Sequence, residues 1–396
     1  MDLSHFKVFS DGLFAIAATL VVLEMSIKSM TKLKLLSPAI LGDLELPNRM
    51  IMAPLTRCRA GDGYIPQPMN AIYYAQRASA GLIIAEATQV ARNGIGYPNT
   101  PGIYTSEQVE GWKQVTNAVH ARGGRIFLQL WHAGRVAHPS LLPANEIPIA
   151  PSAIPANCLA DTAEGQQPHV TPRALELAEI PGIVEQFRQG AKNAIAAGFD
   201  GVEIHSANGY LLDQFLQDNS NQRLDEYGGS IQNRARLLLE VVQAALEVWG
   251  QGKVGVRLSP SSSFNDMKDS NPTATFSYVA DALNQFGLAY LHVIEPRIQG
   301  NVTITNDGSG LGVTFFRKLF QGKIIAAGGY SCETGEAVLQ KNHADFIAYG
   351  RLFLANPDLP KRFAINAPLN RYDRATFYSS GERGYTDYPS LDLLHS

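Results

Sequence analysis

The chain has 396 residues, 45% of them hydrophobic and 17% charged, with a formal charge of −3. That balance is ordinary for a globular protein and lacks the basic excess that holds a polyanion, so nucleic acid is excluded as an expected partner. Its three cysteines, Cys58, Cys158 and Cys332, form no C-x-x-C pair, which argues against a disulfide framework, a zinc site or an iron–sulfur cluster and fits a reducing cytoplasm.

The N-terminal segment differs from the rest. From Leu13 to Leu23 every residue except Thr19 is apolar, but the run stops at Glu24, short of the ~20 residues that a bilayer span needs. Asp2 and Asp11 dilute the leading positive charge that a signal peptide requires. Phe9-Ser10-Asp11-Gly12 followed by Phe14-Ala15-Ile16-Ala17 resembles the first membrane helix of a bacterial potassium-channel family with an FSDG motif, over residues 1–27 only. Residues 1–30 are expected to be a hydrophobic extension, with Met30 as an alternative start, and membrane contact is expected only if residues 1–27 act as an anchor.

Residues 36–391 read as one domain. Short apolar, β-branched runs fall at 49–55, 81–87, 125–131, 201–207, 253–260, 290–296, 323–329 and 346–351. Helix-like segments lie between them at 69–79, 106–121, 183–197, 231–249, 273–286, 312–319 and 331–340. Alternation of the two types predicts a parallel sheet, and eight strands predict an α/β fold of the (β/α)8 TIM barrel type, preceded by an N-terminal hairpin. Continuous apolar strands such as Ile-Ile-Ala at 83–85 suit a wall buried on both faces. The rival, a doubly wound open sheet, lacks its G-x-G-x-x-G turn after any strand. Two inserts break the rhythm: a long Pro-rich excursion after strand 3, at 137–172, and a polar stretch at 261–272. Both follow strands and are expected on the active face.

Barrel chemistry gathers where strands end, so those residues are the candidates. They are Ala53-Pro54-Leu55-Thr56 after the first strand, Glu86-Ala87 after the second, Gln129 and Trp131 in the third, His205 through Tyr210 after the fourth and Arg257 in the fifth. Gly328-Gly329 and Gly350-Arg351 close the seventh and eighth, the usual barrel phosphate site, where glycine backbone approaches an anion closely and arginine adds a charged fork. This pattern alone suits FMN or a sugar phosphate equally. A buried ion pair would be the structural explanation of Arg257, and a lone buried histidine such as His205 is more often a satisfied core residue than a catalytic one.

Several ordered motifs narrow the choice. Ala53-Pro54-Leu55-Thr56-Arg57, Leu128-Gln129-Leu130-Trp131-His132, His205-x-x-Asn208-Gly209-Tyr210-Leu211-Leu212, Asn221-Gln222-Arg223, Tyr227-Gly228-Gly229-Ser230, Asn233-Arg234 and Ala355-Asn356-Pro357-Asp358-Leu359 together resemble the old yellow enzyme family, from about residue 36 to 391. The resemblance implies a non-covalent FMN, NADPH or NADH as reductant, and a small electron-poor alkene, an α,β-unsaturated carbonyl or nitro compound, as substrate.

By the same resemblance Thr56 donates near the flavin O4 edge, Ala87 and Gln129 meet the pyrimidine ring, and Arg257 lies beside N1 and O2. Ala53, Pro54 and Leu55 line the cofactor, and Gly328, Gly329, Gly350 and Arg351 hold its phosphate. His205 and Asn208 would bind the substrate oxygen while Tyr210 protonates the α-carbon, in a ping-pong reaction whose hydride comes from flavin N5. Trp131, Tyr73, Phe264 and Tyr378 are candidates for shaping the substrate pocket. Some relatives carry His at the position of Asn208, so substrate preference is open; one branch carries Cys at that of Thr56, where it tunes the flavin, and with Thr this chain resembles the other branch. The alternative of a different chemistry is a phosphate-binding barrel lyase or isomerase without flavin. No metal site is expected, and nothing in the pattern speaks to the oligomeric state.

Overall fold

The computed structural model describes residues 33–305 and 309–391. The expectations for residues 1–30 lie outside the described residues. Eight parallel strands close a barrel: β1 (Met50–Met52), β2 (Leu82–Gln89), β3 (Ile126–Trp131), β4 (Gly201–Ser206), β5 (Val254–Leu258), β6 (Tyr290–Ile294), β7 (Ile324–Ala327) and β8 (Phe346–Tyr349). Each pairs with the next, and β8 returns to β1 in the register Ile347 to Met50. The expected (β/α)8 barrel is the observed fold.

Side chains alternate along each strand, and the alternation sorts the core into two layers. Met50, Ile83, Leu128, Val202, Val256, Leu291, Ile324 and Ile347 join the large cluster shared with the helices. Ile51, Leu82, Ile84, Phe127, Tyr290, Ile325 and Phe346 join a second cluster in the barrel interior. Leu41 and Leu46 belong to that inner cluster too, from the antiparallel hairpin Ala39–Leu41 with Leu44–Leu46. Gly42 turns the hairpin at a φ of +57°, and a Cβ there would lie 1.9 Å from Gly252 O, just ahead of β5. The hairpin therefore lies at the N-terminal end of the barrel, the end opposite the site.

Helices pack outside the strands. Ile180–Ala196 and Ile231–Trp249 bury one apolar face each, and the first-turn donors of several helices meet a side-chain cap: Thr105 for Ser106–His120, Ser230, Asn271 and Ser331 for three others. Leu211–Leu216, Arg351–Ala355 and Leu359–Ala364 are additional helices of five or six residues, too short to show a helical period in sequence. The excursion at 137–172 holds a small antiparallel hairpin, Leu159–Thr162 with Gly165–Pro168. A further two-residue hairpin, Ile298–Gln299 with Val302–Thr303, stands after β6. No helix among the described residues is long and apolar enough to cross a membrane.

Candidate active site at the C-terminal mouth of the barrel

A cavity of about 1170 Å³ opens at the C-terminal ends of the strands. Ala53, Pro54, Leu55 and Thr56 line it after β1, Asn208 and Tyr210 after β4, Arg257 on β5, Gly328 and Gly329 after β7, and Gly350 and Arg351 after β8. Phe264 and Tyr378 line it as well, and both inserts contribute, since Asp161, Thr162 and Gln166 come from the excursion's hairpin.

Local conformation explains how β4 delivers its residues. Asn208 and Gly209 both adopt positive φ, +58° and +73°, so the chain reverses sharply between β4 and the helix Leu211–Leu216. The Asn208 N–H donates to Ser259 Oγ at 2.7 Å, its carbonyl accepts from Asn265 Nδ2 at 2.8 Å, and the Gly209 N–H donates to Asp213 Oδ2 at 2.8 Å. A Cβ at Gly209 would lie 2.7 Å from Met267 Cγ, so the turn admits glycine alone without a shift. Tyr210 is thereby folded back against β3 and β4, edge-on to Trp131 with centroids 5.1 Å apart. Its hydroxyl lies 2.9 Å from that of Tyr97, and burial pushes its phenol well up.

Below the mouth a buried polar network crosses three strands. Glu203 accepts from Gln129 Nε2 at 2.7 Å and pairs with His292 Nδ1 at 2.8 Å, all inside the barrel. Burial works to raise the Glu203 carboxyl, but His292, Arg257 and Gln129 outweigh it and hold it below the usual range. Arg257 is in register with His292 on the neighbouring strand; burial draws its guanidinium down while Glu203 opposes, and its Nε is buried with no hydrogen-bond partner. His205 Nδ1 is likewise buried with no partner, and burial, then Arg257 and His292, hold its imidazole far below the ordinary value. Two orphaned buried polar atoms beside one cavity indicate a polar ligand rather than a finished ion pair.

The glycines form the other wall. Gly329 sits at a φ of +64°, with Arg351 Nη2 and Thr303 Oγ1 each 3.2 Å from where its Cβ would be. Arg351 also donates to Thr303 Oγ1 and lies over the Tyr372 ring at 5.7 Å. Asn301 Nδ2 donates to Tyr378 Oη at 2.9 Å, so the hairpin after β6 bridges two sides of the mouth.

Not every expected residue reaches the cavity. Tyr73 is a correction: it is fully buried, stacked on Tyr385 at 4.0 Å and 9°, and packs against the Arg57 and Arg77 guanidinium groups away from the pocket. The resemblance suggests it as a pocket residue, yet its neighbours are a core cluster. Arg57 and its neighbour Arg59 brace the C-terminal segment that carries Tyr378, since Arg57 donates to the Phe377 and Gly384 carbonyls and Arg59 to those of Thr376 and Arg383. Ala87, Gln129, Trp131 and His205 are buried behind the lining, Ala87 and Trp131 in one cluster with Tyr210. Residues missed by sequence reasoning are Tyr97, Glu203 and His292. The signal for the last two was present, as each interrupts an apolar strand with a titratable group.

The NADH:flavin oxidoreductase / NADH oxidase family model matches residues 34–370. The 12-oxophytodienoate reductase 1 of Oryza sativa subsp. japonica is 50% identical over 366 residues, 91% of this chain and 94% of that protein. A morphinone reductase solved in complex with tetrahydroNAD aligns with a TM-score of 0.85 at 50% identity, over 91% of this chain and 99% of that one. The old yellow enzyme homologue from Zymomonas mobilis aligns at 0.87 and 43% identity, over 90% and 100%.

Proposed function

The chain belongs to the NADH:flavin oxidoreductase / NADH oxidase family, and from that premise we propose how its residues carry out the reaction. It is an FMN-dependent, old yellow enzyme type oxidoreductase that uses a nicotinamide reductant to reduce small-molecule alkenes. The flavin-free lyase or isomerase reading is set aside by that membership.

The mouth fits FMN on two local features. Arg257 lines the same cavity as Ala53, Pro54, Leu55 and Thr56, and its buried Nε has no hydrogen-bond partner, an arrangement suited to an electron-rich ring edge. Gly328, Gly329 and Gly350 line the cavity beside Arg351, with Gly329 exposed, an arrangement suited to a phosphate. Ala87 and Gln129 support the wall behind the ring. When bound and reduced by NAD(P)H, FMN supplies the hydride for an α,β-unsaturated carbonyl or nitro compound.

Every other step falls to side chains. Neutral His205 and Asn208 donate to the substrate oxygen, drawing electron density out of the double bond as negative charge develops there. Tyr210 is held protonated by burial, so it arrives as an acid and gives its proton to the α-carbon. Trp131 backs Tyr210, while Phe264 and Tyr378 narrow the opening. Residues 36–391 are read as one domain, and three unpaired cysteines support a reducing, cytoplasmic setting.

The observation that carries this reading is that Asn208 and Tyr210 line the cavity beside Arg257, with His205 held edge-on to Tyr210 behind them. Anaerobic stopped-flow absorbance tests it: NADPH should bleach the flavin band and 2-cyclohexenone should restore it. A protein that bleaches but is not reoxidised by any enone or nitroalkene would refute the assignment.

A further inference from the structure

Tyr97 stands in the loop between β2 and the helix Ser106–His120, and the loop is held in one place. Ala133 N–H donates to the Gly94 carbonyl at 3.0 Å, and a Cβ at Gly96 would lie 2.7 Å from Ala133 Cβ and 2.8 Å from the Trp131 ring. With that backbone pressed against the end of β3, the Tyr97 ring lies parallel to Trp131 at 5.8 Å and 11°. Its hydroxyl is then 2.9 Å from the Tyr210 hydroxyl. Trp131 and His205 meet Tyr210 only edge to face, so Tyr97 is the hydrogen-bond partner that the described residues offer this hydroxyl.

We infer that Tyr97 is a positioning residue for alkene reduction: its hydroxyl donates to Tyr210 Oη and stabilises the oxygen as Tyr210 releases its proton. This rests on the reading of Tyr210 as the proton donor. If the bond ran the other way, Tyr210 would spend its only proton on Tyr97 and have none aimed at a substrate. With Tyr97 donating, the Tyr210 Oη–H bond breaks, the proton joins the carbanion pair that hydride addition leaves on the α-carbon, and the O–H pair stays on Tyr210 as a phenolate. That phenolate takes a proton back from water after product leaves. A donor already in place where charge develops needs no reorganisation, and losing one such donor costs on the order of 10²–10³ in rate. Tyr97 and Tyr210 both line the cavity, so a bound substrate covers the pair during the transfer and its departure readmits water.

The substrate's own chemistry separates this role from a structural one. Hydride addition to an enone leaves a strongly basic enolate that needs the acid, whereas addition to a nitroalkene leaves a nitronate, stable without protonation. In Tyr97→Phe holoenzyme, 2-cyclohexenone should reoxidise the flavin about 10²-fold more slowly, while reduction by NADPH and reoxidation by β-nitrostyrene stay within about 3-fold of wild type. An equal loss with both oxidants would make Tyr97 a packing residue and overturn the inference. An unchanged enone rate in Tyr97→Phe, beside a slowed one in Tyr210→Phe, would overturn it while leaving Tyr210 as the acid. An unchanged enone rate in Tyr210→Phe would remove both.

Discussion

His205 and Tyr210 meet edge to face, ring centroids 4.9 Å apart and planes at 80°, with four residues between them in the chain. The contact exists because Asn208 and Gly209 reverse the backbone between them at positive φ. His205 is neutral and Tyr210 protonated for the same reason, burial, so an oxygen-binding group and an acid coexist without exchanging a proton.

Tyr210→Phe removes one hydroxyl and keeps the ring that packs on Trp131 and His205. Flavin reduction by NADPH is expected to be unchanged, because it needs no protonated carbon. Reoxidation by 2-cyclohexenone should slow by roughly 10²–10⁴, the usual contribution of a general acid. Stopped-flow traces of the two half-reactions separate the cases, and an unchanged oxidative phase would take Tyr210 out of that role.

His205→Ala combined with Asn208→Ala deletes both donors to the substrate oxygen. The double variant should lose the long-wavelength charge-transfer absorbance that a phenol ligand produces with bound flavin, while keeping the flavin itself. Spectral titration with a phenol is the measurement. A wild-type titration curve would place the oxygen site elsewhere.

Much of this arrangement is legible in the sequence, and the reason is burial. Strands enclosed on both faces must be continuously apolar, so β2 and β7 announced themselves as Ile-Ile-Ala runs, and polar residues at their ends stood out against that background. Tyr97 had no such contrast, because it sits in a glycine-rich loop whose path is set by contacts with Ala133 and Trp131, more than thirty residues away in sequence. Tyr73 misled for the opposite reason. The resemblance marks it as an aromatic near the pocket but cannot say whether cavity or core covers it, and here Tyr385, over three hundred residues further on, does so. The hairpin Ile298–Gln299 with Val302–Thr303 escaped because two-residue strands carry no alternation to read.

Gly329→Ala tests the phosphate wall. Alanine at a φ of +64° is strained by roughly 1–2 kcal/mol, and its Cβ would press on Arg351 Nη2 and Thr303 Oγ1, both 3.2 Å away. Strain at the binding wall should weaken FMN about tenfold or more, since ~1.4 kcal/mol is one decade of affinity. Release of fluorescent FMN on dilution reports it. Retention as tight as in wild type would mean that the phosphate does not rest on this backbone.

His132 gives a pH prediction whose sign is set by burial. It ends the strand segment that anchors the loop carrying Tyr97: Gly134 N–H donates to its Nδ1 at 3.1 Å, and Asn93 Oδ1 lies 3.3 Å from its Nε2. Nδ1 is therefore the acceptor of a neutral ring, and burial lowers its pKa to about 3. The unfolded chain takes up this proton near the ordinary histidine value of ~6.5, ahead of the folded protein. The neutral ring's contribution to stability is thus whole above that value and is lost as pH falls from ~6.5 towards 3, approaching ~1.4 kcal/mol per pH unit. His132→Gln removes the titration but keeps a polar side chain of similar reach. Groups distant from position 132 titrate alike in both proteins and cancel in the difference between them. Urea unfolding at pH 7.5, 6.5 and 5.5 should therefore show wild type losing ~1 kcal/mol more than His132→Gln between the last two points. Stability curves that run parallel over this range would mean that His132 takes up its proton in the folded protein as readily as in the unfolded chain, and that the anchor of the Tyr97 loop is open to water.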